Sequence, residues 1–447
     1  MGDFENKRQV LAHCFGGRSF LGSLTAGQFA MAEEGFTAAA GYSEPEEGAP
    51  VGTLAVDPAL RCLGLEAGRF ERDTVVKEGF IIHQAWQEMG LYDGDNRSLL
   101  QSRGFEGLQS ALRDYNRRLS REVSQTREKL QEQALHEIAE RPDFIHGYRD
   151  VHGIHVRRAD SLAVSFIAEH SSFTGGAHGM YAFEGVNFDA ATGRRLALAD
   201  VFRDKGTLAR NLGETLRARY GKALFDSAEK TVTEAVEKNQ VSWTLDPRGA
   251  TFYFNPYDVA PYASGLLSVT FLFDERPGLF LEKYKRGPAS YCETLPAGRP
   301  MDISLRDDGS GRKDSLEAWV REGSIHITLN GAAYMDVSPV SGNDITAVHV
   351  HTAGGKNFLY VDCEDSATGE RMLRIYNLDG RTPTFVATAL QTFRQELSGG
   401  KKGWKKVRQW IMTDPGEFTV YDPYPSAGQE RRTHTVEMQE NGRIAFG

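Results

Sequence analysis

Residues 169–181, EHSSFTGGAHGMY, join two strand-like segments and combine two histidines with three glycines. The segment before them, residues 162–168, is apolar at nearly every position, which predicts a central strand buried on both faces. Residues 181–189, YAFEGVNFD, predict another strand. Gly175 and Gly176 therefore favour a sharp turn after the central strand, and we expect His178 to hold this turn by a hydrogen bond to the backbone.

The glycines of this stretch do not fit a phosphate-binding loop. Such a loop needs a Lys-Ser or Lys-Thr pair after the glycines and then a helix, whereas a strand follows here. Catalysis would need His170 or His178 beside a carboxylate and a nucleophile such as Ser171, and the sequence has no GxSxG or HExxH motif. A metal pair of His170 and His178 lacks a third ligand nearby in the sequence. A structural turn is the preferred interpretation, and a partner-binding loop and catalysis stay open.

The sequence around this stretch predicts an α+β domain over residues 76–285 with a mostly antiparallel sheet. Apolar residues recur at three- and four-residue steps from Leu108 to Ile138, which predicts an amphipathic helix that ends before Pro142. A second helix is expected over residues 204–220, and a short one over residues 277–284. Strands are expected on both sides of the Pro- and Gly-containing turn at residues 246–249, and again over residues 266–273.

The rest of the chain divides into three parts by composition. Residues 1–75 are rich in glycine and alanine and predict a leader that is extended or partly disordered. Residues 286–300, RGPASYCETLPAGRP, predict a Pro/Gly linker. Residues 301–447 carry successive strand-like runs separated by Gly, Asn or Asp, which predict an all-β domain built as a sandwich or as propeller-like blades. Within this domain the spacing of apolar residues allows a helix only over residues 388–397, as an alternative to a strand there.

Charge and composition argue against several classes of protein. The net charge of −9 disfavours nucleic acid as a partner, and no Lys/Arg-rich stripe offsets it. No segment approaches the roughly 18 consecutive apolar residues of a membrane-spanning helix. The first residues have the charged start and the Ala-x-Ala end of a signal peptide, but Arg18 and several glycines interrupt the apolar middle, so a signal peptide is not clear.

The four cysteines are widely spaced and form no CxxC pair, so a zinc site built from cysteines alone is not expected. They are Cys14, Cys62, Cys292 and Cys363. Disulfides and buried thiols are both compatible with this spacing, and whether Cys292 pairs with Cys363 stays open.

A second distinctive stretch is FYFNPYDVAPYASG, residues 252–265, with two Pro-Tyr pairs five residues apart. Each proline fixes its own φ and disfavours helix, so we expect a stiff aromatic loop. Tyrosines on a rigid loop make good contact residues because they bring a large area at a low entropic cost. The alternative is that Tyr257 and Tyr262 only pack the loop onto the sheet.

Two places in the predicted all-β domain carry possible metal ligands. Asp308, Ser310 and Asp314 in the run DGSGRKD resemble the calcium loops of propeller repeats, although Arg306 stands where a first carboxylate would be expected. The competing interpretation is a plain glycine hairpin. His349 and His351 fall on one face of a strand, as two metal ligands would, but exposed strand histidines are far commoner. Apart from this calcium candidate, no cofactor is expected.

The order of the motifs resembles a bacterial cell-envelope domain family. The motifs are TGGAHG, then N-x-D-x-x-T-G-R-x-L-x-L-x-D-V-F, then a helix, then FNPYDVAPYASG. The family is known from the extracellular part of the lysozyme-sensing anti-sigma factor RsiV and from the N-terminal region of the peptidoglycan deacetylase PdaC. The resemblance spans residues 77–284, which is under half of the chain.

The resemblance implies an α+β fold, an extracytoplasmic location and a binding role without catalysis, with an envelope component or a lytic enzyme such as lysozyme as partner. It places the contact on Asn255, Pro256, Tyr257, Pro261 and Tyr262, with Thr174, Gly175, Gly176 and His178 beside them. Anti-sigma activity is not expected, because no sigma-binding module with a membrane helix precedes the domain; nor does a deacetylase domain follow it. A peptidoglycan-directed hydrolase using His178 and a cell-surface scaffold protein of unknown ligand are the alternatives.

Overall fold

The computed structural model describes most of the region between residues 62 and 390, together with short stretches outside it. The described residues are 55–56, 60, 62–77, 79–92, 104–141, 147–288, 290–305, 312–337, 347–353, 355–364, 371–390, 393–397, 401–405, 409–414, 417–421, 433–438 and 444–446.

A five-stranded sheet with its strands in chain order forms the first layer. Neighbouring strands are antiparallel except the second and the third, which are parallel, and a long helix supplies the crossover that a parallel pair requires. The bounds are Gly64–Lys77 for β2, Phe80–Tyr92 for β3, Glu106–Glu140 for α1, Tyr148–Ala159 for β4, Ala163–Phe173 for β5 and Met180–Asp189 for β6. Strand β2 crosses residue 75, so part of the predicted leader is a strand of this sheet.

Helix α1 covers one face of the sheet with the apolar stripe predicted from its spacing. Leu112, Tyr115 and Leu119 are buried and belong to one cluster with Phe166 and Val186 of the sheet. The rings of Tyr115 and Phe166 meet edge to face, with centroids 5.1 Å apart. The predicted helix is therefore confirmed, and the central strand before the glycines is β5, with a sheet neighbour on each side.

A compact α+β unit follows the first sheet. It consists of α2 (Leu198–Val201), α3 (Lys205–Tyr220), α4 (Ala228–Glu237), and a three-stranded antiparallel sheet of β7 (Ser242–Asp246), β8 (Gly249–Phe254) and β9 (Leu267–Leu272). Asp204 caps α3 by accepting a hydrogen bond from the Thr207 backbone N–H. The hairpin at residues 246–249 is as predicted. The short helix expected over residues 277–284 is two 3₁₀ turns, Pro277–Leu279 and Glu282–Tyr284, and α4 was not predicted.

Residues 286–300, expected to be a linker, contain two strands. Strand β10 (Arg286–Gly287) pairs in parallel with β1 (Ala55–Val56), and β11 (Tyr291–Leu295) pairs antiparallel with β16 (Ala347–Ala353). The Pro and Gly residues that suggested a linker lie outside β11, at positions 287, 288, 296, 298 and 300. The strand is buried at most positions, so this segment is part of the packed structure.

From residue 291 onward two antiparallel sheets share one apolar cluster, as the two sheets of a sandwich do. One sheet contains β12 (Met301–Ile303), β13 (Asp314–Arg321), β14 (Ser324–Leu329) and β15 (Ala332–Asp336). The other contains β11, β16, β17 (Lys356–Glu364), β18 (Arg371–Asn377) and β19 (Thr384–Leu390). Ile167, Phe183 and Tyr253 belong to the same cluster, so the α+β part and the β-rich part are packed together.

The last strands are β20 (Phe393–Leu397), β21 (Lys401–Lys405), β22 (Gln409–Asp414), β23 (Glu417–Tyr421), β24 (Thr433–Met438) and β25 (Ile444–Phe446). The possible helix over residues 388–397 was wrong. Its first residues end β19 and its last residues form β20, which pairs with β21. Among the described residues the fold is thus mostly antiparallel β-sheet with a few helices.

Candidate functional site

The two motif segments singled out in the sequence contact each other. We call residues 174–179 the glycine turn and residues 255–265 the Pro-Tyr loop. The ring of Tyr262 stacks on the ring of His178, with centroids 4.0 Å apart and planes 19° apart. The Tyr262 hydroxyl donates a hydrogen bond of 2.8 Å to the Gly179 carbonyl. Segments about 80 residues apart in the chain therefore form one surface.

The glycine turn has the conformation that its sequence predicts. Gly175 and Gly176 have φ of +90° and +94°, a region that side-chain-bearing residues rarely adopt. His178 Nδ1 donates to the Gly179 carbonyl at 2.8 Å, so this carbonyl accepts from both His178 and Tyr262. The predicted hydrogen bond of His178 to the backbone is confirmed. Gly176 is exposed, and Thr174 and Gly175 are half-buried.

Asn255 anchors the Pro-Tyr loop to strand β6. Its side-chain oxygen accepts from the Phe183 backbone N–H at 2.7 Å, and its side-chain NH₂ donates to the Phe183 carbonyl at 3.3 Å. The Asn255 backbone N–H donates to the Asp258 carboxylate at 2.8 Å, which closes the first turn of the loop. Asn255 therefore holds the loop in place.

Tyr257 lies at the bend of the loop in a strained backbone conformation. Its φ is +71°, and its backbone N–H donates to the Ala260 carbonyl at 2.9 Å. A bulky residue in this left-handed region costs about 1 kcal/mol or more. The Tyr257 side chain is half-buried, and its ring centroid lies 6.0 Å from that of Tyr262. Pro256 is half-buried and Pro261 is exposed.

Arg299 joins this surface from the segment predicted to be a linker. Its guanidinium carbon lies 3.8 Å from the centroid of the Tyr181 ring, a close cation–π contact. Tyr181 in turn meets Tyr262 edge to face at 6.0 Å. Burial raises the pKa of Tyr262 to about 12, so its hydroxyl stays protonated and remains a donor at neutral pH. Tyr262 thus contacts His178, Tyr181 and Tyr257, and Tyr181 also contacts Arg299.

The structure gives His170 and His178 different partners, so they do not form the metal pair considered above. His170 lies on β5 with its Nε2 atom 2.8 Å from Asp150 Oδ1, and its ring stacks on that of His152. In the part of the chain that the structure describes, one group of three residues has ligand atoms close enough together to hold a metal ion. The group consists of Asp150, His152 and His170. Burial lowers the pKa of His152. No sequence motif indicated this group, because it depends on the register between β4 and β5.

The predicted calcium loop is only partly within the described residues. Asp308 and Ser310 lie outside them. Asp314 is buried at the start of β13, where its carboxylate accepts from the Asn330 side chain at 2.7 Å and from the Leu305 backbone N–H at 3.3 Å. These contacts give Asp314 a structural role at the ends of two neighbouring strands.

The two strand histidines of the β-rich part were expected to be exposed, but neither of them is. His351 is fully buried on β16, and burial lowers its pKa to about 4. His349 is half-buried, and its Nδ1 atom lies 3.1 Å from the Thr294 hydroxyl. Cys62, Cys292 and Cys363 form no disulfide among the described residues, so the pairing of Cys292 with Cys363 does not occur in this structure.

Comparison with known proteins identifies one domain. A family model described as "Protein of unknown function (DUF3298)" matches residues 199–274. A DUF3298 family protein from Bacteroides fragilis is similar in structure, with 18% identity over 50% of this chain and 95% of that chain and a TM-score of 0.35. A second one, from Pseudomonas aeruginosa PAO1, has 16% identity over 51% of this chain and 97% of that chain, with a TM-score of 0.32. No curated protein matches the chain.

None of the helices that the structure describes is long and apolar enough to span a membrane. The matched stretch begins within α2 and ends just after β9, so it includes the whole Pro-Tyr loop. Residues 199–274 are therefore a DUF3298 domain within this longer chain.

Proposed function

We propose that the chain is a non-catalytic extracytoplasmic binding protein that recognises an envelope component or a lytic enzyme such as lysozyme. The contact is made by the Pro-Tyr loop, with the glycine turn beside it. The order of the two motifs resembles the RsiV and PdaC domains, and this resemblance supports the extracytoplasmic location. The packing of the two motifs against each other supports a single contact surface.

The backbone of Tyr257 is the observation that carries the proposal. Glycine would adopt a φ of +71° without cost, whereas tyrosine there is strained. Strain of this kind at a half-exposed bend is typical of sites where a side chain has to be presented in one direction. The tyrosine therefore contributes something other than stability, and contact with a partner is the role that its large amphipathic ring fits.

The loop is also ordered before any partner arrives. Asn255, Tyr257 and Tyr262 are each fixed by hydrogen bonds to backbone groups of 2.7 to 3.3 Å. A pre-organised loop loses little conformational entropy on binding, so more of the interaction energy appears as affinity. The net charge of −9 favours a basic partner, which a C-type lysozyme is.

The test is calorimetric titration of the full chain with a C-type lysozyme at moderate salt. Tyr257→Gly removes the side chain and relieves the backbone strain, so the variant should keep or exceed the thermal stability of the wild type. We expect it to weaken binding about 10-fold or more, as loss of a tyrosine anchor does. Phe70→Ala is the matched control, because Phe70 is also a partly exposed aromatic residue but lies on β2, outside the loop.

Saturable binding that Tyr257→Gly weakens and Phe70→Ala does not would support the proposal. Binding that both variants leave unchanged would show that the loop is not the contact. If lysozyme gives no heat, titration with soluble peptidoglycan fragments distinguishes recognition of an envelope component from a scaffold role, in which neither ligand binds.

The hydrolase alternative receives no support from the contacts of His178. Among the described residues its ring nitrogen bonds to a backbone carbonyl and its face stacks on Tyr262. A general base would instead need a carboxylate or a nucleophile within hydrogen-bond reach.

A further inference from the structure

Three potential metal ligands come together between the first sheet and helix α1. Asp150 and His152 are two residues apart on β4, so their side chains lie on the same face of the sheet. His170 on β5 is the register partner of His152, directly across the two strands. The group lies near helix α1, because Gln84 connects Asp150 to the Val123 carbonyl of that helix.

The donor atoms of these residues are close but not fully paired. His170 Nε2 lies 2.8 Å from Asp150 Oδ1, and His152 Nε2 lies 3.6 Å from the same oxygen. The two imidazole rings are stacked, with centroids 4.2 Å apart and planes 6° apart. His152 Nε2 is inaccessible to solvent and has no hydrogen-bond partner among the described residues. A buried polar atom without a hydrogen-bond partner destabilises the folded state, so this site lacks a group that would bond the His152 nitrogen.

The carboxylate of Asp150 is already oriented so that one of its two oxygens is available to a metal ion. Gln84 donates to Asp150 Oδ2 at 2.9 Å and to the Val123 carbonyl at 3.0 Å, which leaves Oδ1 directed at the two histidines. Metal-binding carboxylates are typically held in this way by a second hydrogen-bonding residue, which fixes the oxygen that faces the ion.

We infer that Asp150, His152 and His170 bind a divalent transition-metal cation of the Zn²⁺ class. Two imidazoles and one carboxylate are a donor set that such ions prefer. The three donor atoms lie within 4.8 Å of one another, and donors around a tetrahedral zinc ion are about 3.4 Å apart. Binding therefore needs the parallel rings to tilt so that their Nε2 atoms converge on one point, with the ion replacing the contact between His170 and Asp150. The ion would tie β4 to β5 beneath the helix.

The same two strands provide a matched control. His155 on β4 and Glu169 on β5 form a histidine–carboxylate pair with a 2.8 Å distance between Nε2 and Oε2. The side chains of His152 and His155 are both 13% exposed. The second pair has no third ligand among the described residues. The variant His155→Gln therefore shows what the loss of a half-buried histidine–carboxylate pair does where no third ligand is present.

The experiment uses the full chain without a polyhistidine tag, freed of metal by a chelator. Co²⁺ is titrated while absorption is followed between about 500 and 700 nm, and Zn²⁺ is then added to displace it. The expected result is one Co²⁺ per chain with the absorption of a low-coordinate site, displaced by one equivalent of Zn²⁺. We expect His152→Gln and Asp150→Asn to weaken binding at least 10-fold, and His155→Gln to leave it unchanged.

Equal losses in His152→Gln and His155→Gln would overturn the inference. So would a wild-type chain that shows no Co²⁺ absorption and the same melting temperature with and without Zn²⁺. The wild-type measurement does not depend on the folding of any variant, and the circular dichroism of each metal-free variant identifies one that fails to fold. The lysozyme titration uses a different surface, so each result stands without the other.

Discussion

The buried arginine between the two parts of the chain gives the sharpest test of the packing. Arg157 on β4 is fully buried, with its Nε atom 3.1 Å from Asp246 Oδ1 and its Nη2 atom 2.9 Å from Glu293 Oε2. Asp246 also accepts hydrogen bonds from the hydroxyls of Thr244 and Thr251. One positive charge thus faces two carboxylates, and Asp246 is the better satisfied of the two.

The two carboxylates should respond differently to removal. Asp246→Ala leaves Arg157 with Glu293 alone and also removes the carboxylate that accepts from two threonine hydroxyls, so we expect a loss of about 3–5 kcal/mol. Glu293→Gln removes the surplus negative charge while Arg157 keeps Asp246, so at pH 5 we expect a change within about 1 kcal/mol. Burial, opposed by the Arg157 charge, raises the pKa of Glu293, which means that its ionised form is disfavoured in the folded chain.

The sign of the pH dependence follows from that direction. A carboxyl whose pKa is higher in the folded state binds protons more tightly there, so its contribution to stability is greatest at low pH and decreases as the pH rises above the unfolded value near 4.3. Gln does not titrate. The stability of Glu293→Gln relative to the wild type should therefore increase between pH 5 and pH 8.

The assay is urea-induced unfolding of the full chain at pH 5 and pH 8, followed by circular dichroism. Glu282→Gln is the control, because Glu282 pairs with Arg203 at 2.7 Å but is 70% exposed, and such surface pairs contribute little to stability. The reasoning is refuted if Glu293→Gln costs more than Asp246→Ala, or if the advantage of Glu293→Gln shrinks as the pH rises.

Three further outcomes are expected. Gly185→Ala should cost about 3 kcal/mol or more, measured as a lower urea midpoint or loss of soluble protein, because an added Cβ would lie 1.7 Å from the Trp243 carbonyl oxygen. Burial holds the folded pKa of His351 at about 4, so the wild type loses stability as the pH falls below about 6.5. His351→Gln should therefore reduce the loss of thermal stability between pH 7 and pH 5. An unchanged dependence of the melting temperature on pH would count against this. Tyr262→Phe keeps the ring but removes the hydrogen bond to Gly179, so thermal melts should show a loss of about 0.5–1.5 kcal/mol, and a larger loss would indicate another role for the hydroxyl.

Local patterns in the sequence predicted the elements whose structure is decided locally. The spacing of apolar residues located α1, and the turn residues located the hairpin at 246–249, because both depend on neighbours within a few positions. The glycine turn was predicted for the same reason, since positive φ at Gly175 and Gly176 is a property of single residues. The surface shared with the Pro-Tyr loop was expected from the resemblance.

The features that the sequence did not indicate depend on distant partners. Arg299 stacks on Tyr181, yet nothing near either residue marks this contact. The pairing of His152 with His170 depends on the register of two strands. The composition of residues 286–300 did not indicate strand β11, because prolines and glycines on both sides of the strand dominate that segment. The possible helix over residues 388–397 failed because strand pairing overrode a weak local preference.

The ion pair between Arg157 and Glu293 also has a consequence for the order in which the chain matures during synthesis. Position 293 is translated 136 residues after position 157. At roughly 5–20 residues per second, the ribosome needs about 7–27 s to cover that interval. Until β11 has emerged, strand β4 lacks the contacts that β11 makes with it, and Arg157 has only Asp246 as a carboxylate partner. A chaperone that binds exposed strand edges should therefore associate with nascent chains that end before residue 293 and leave those that extend beyond β16.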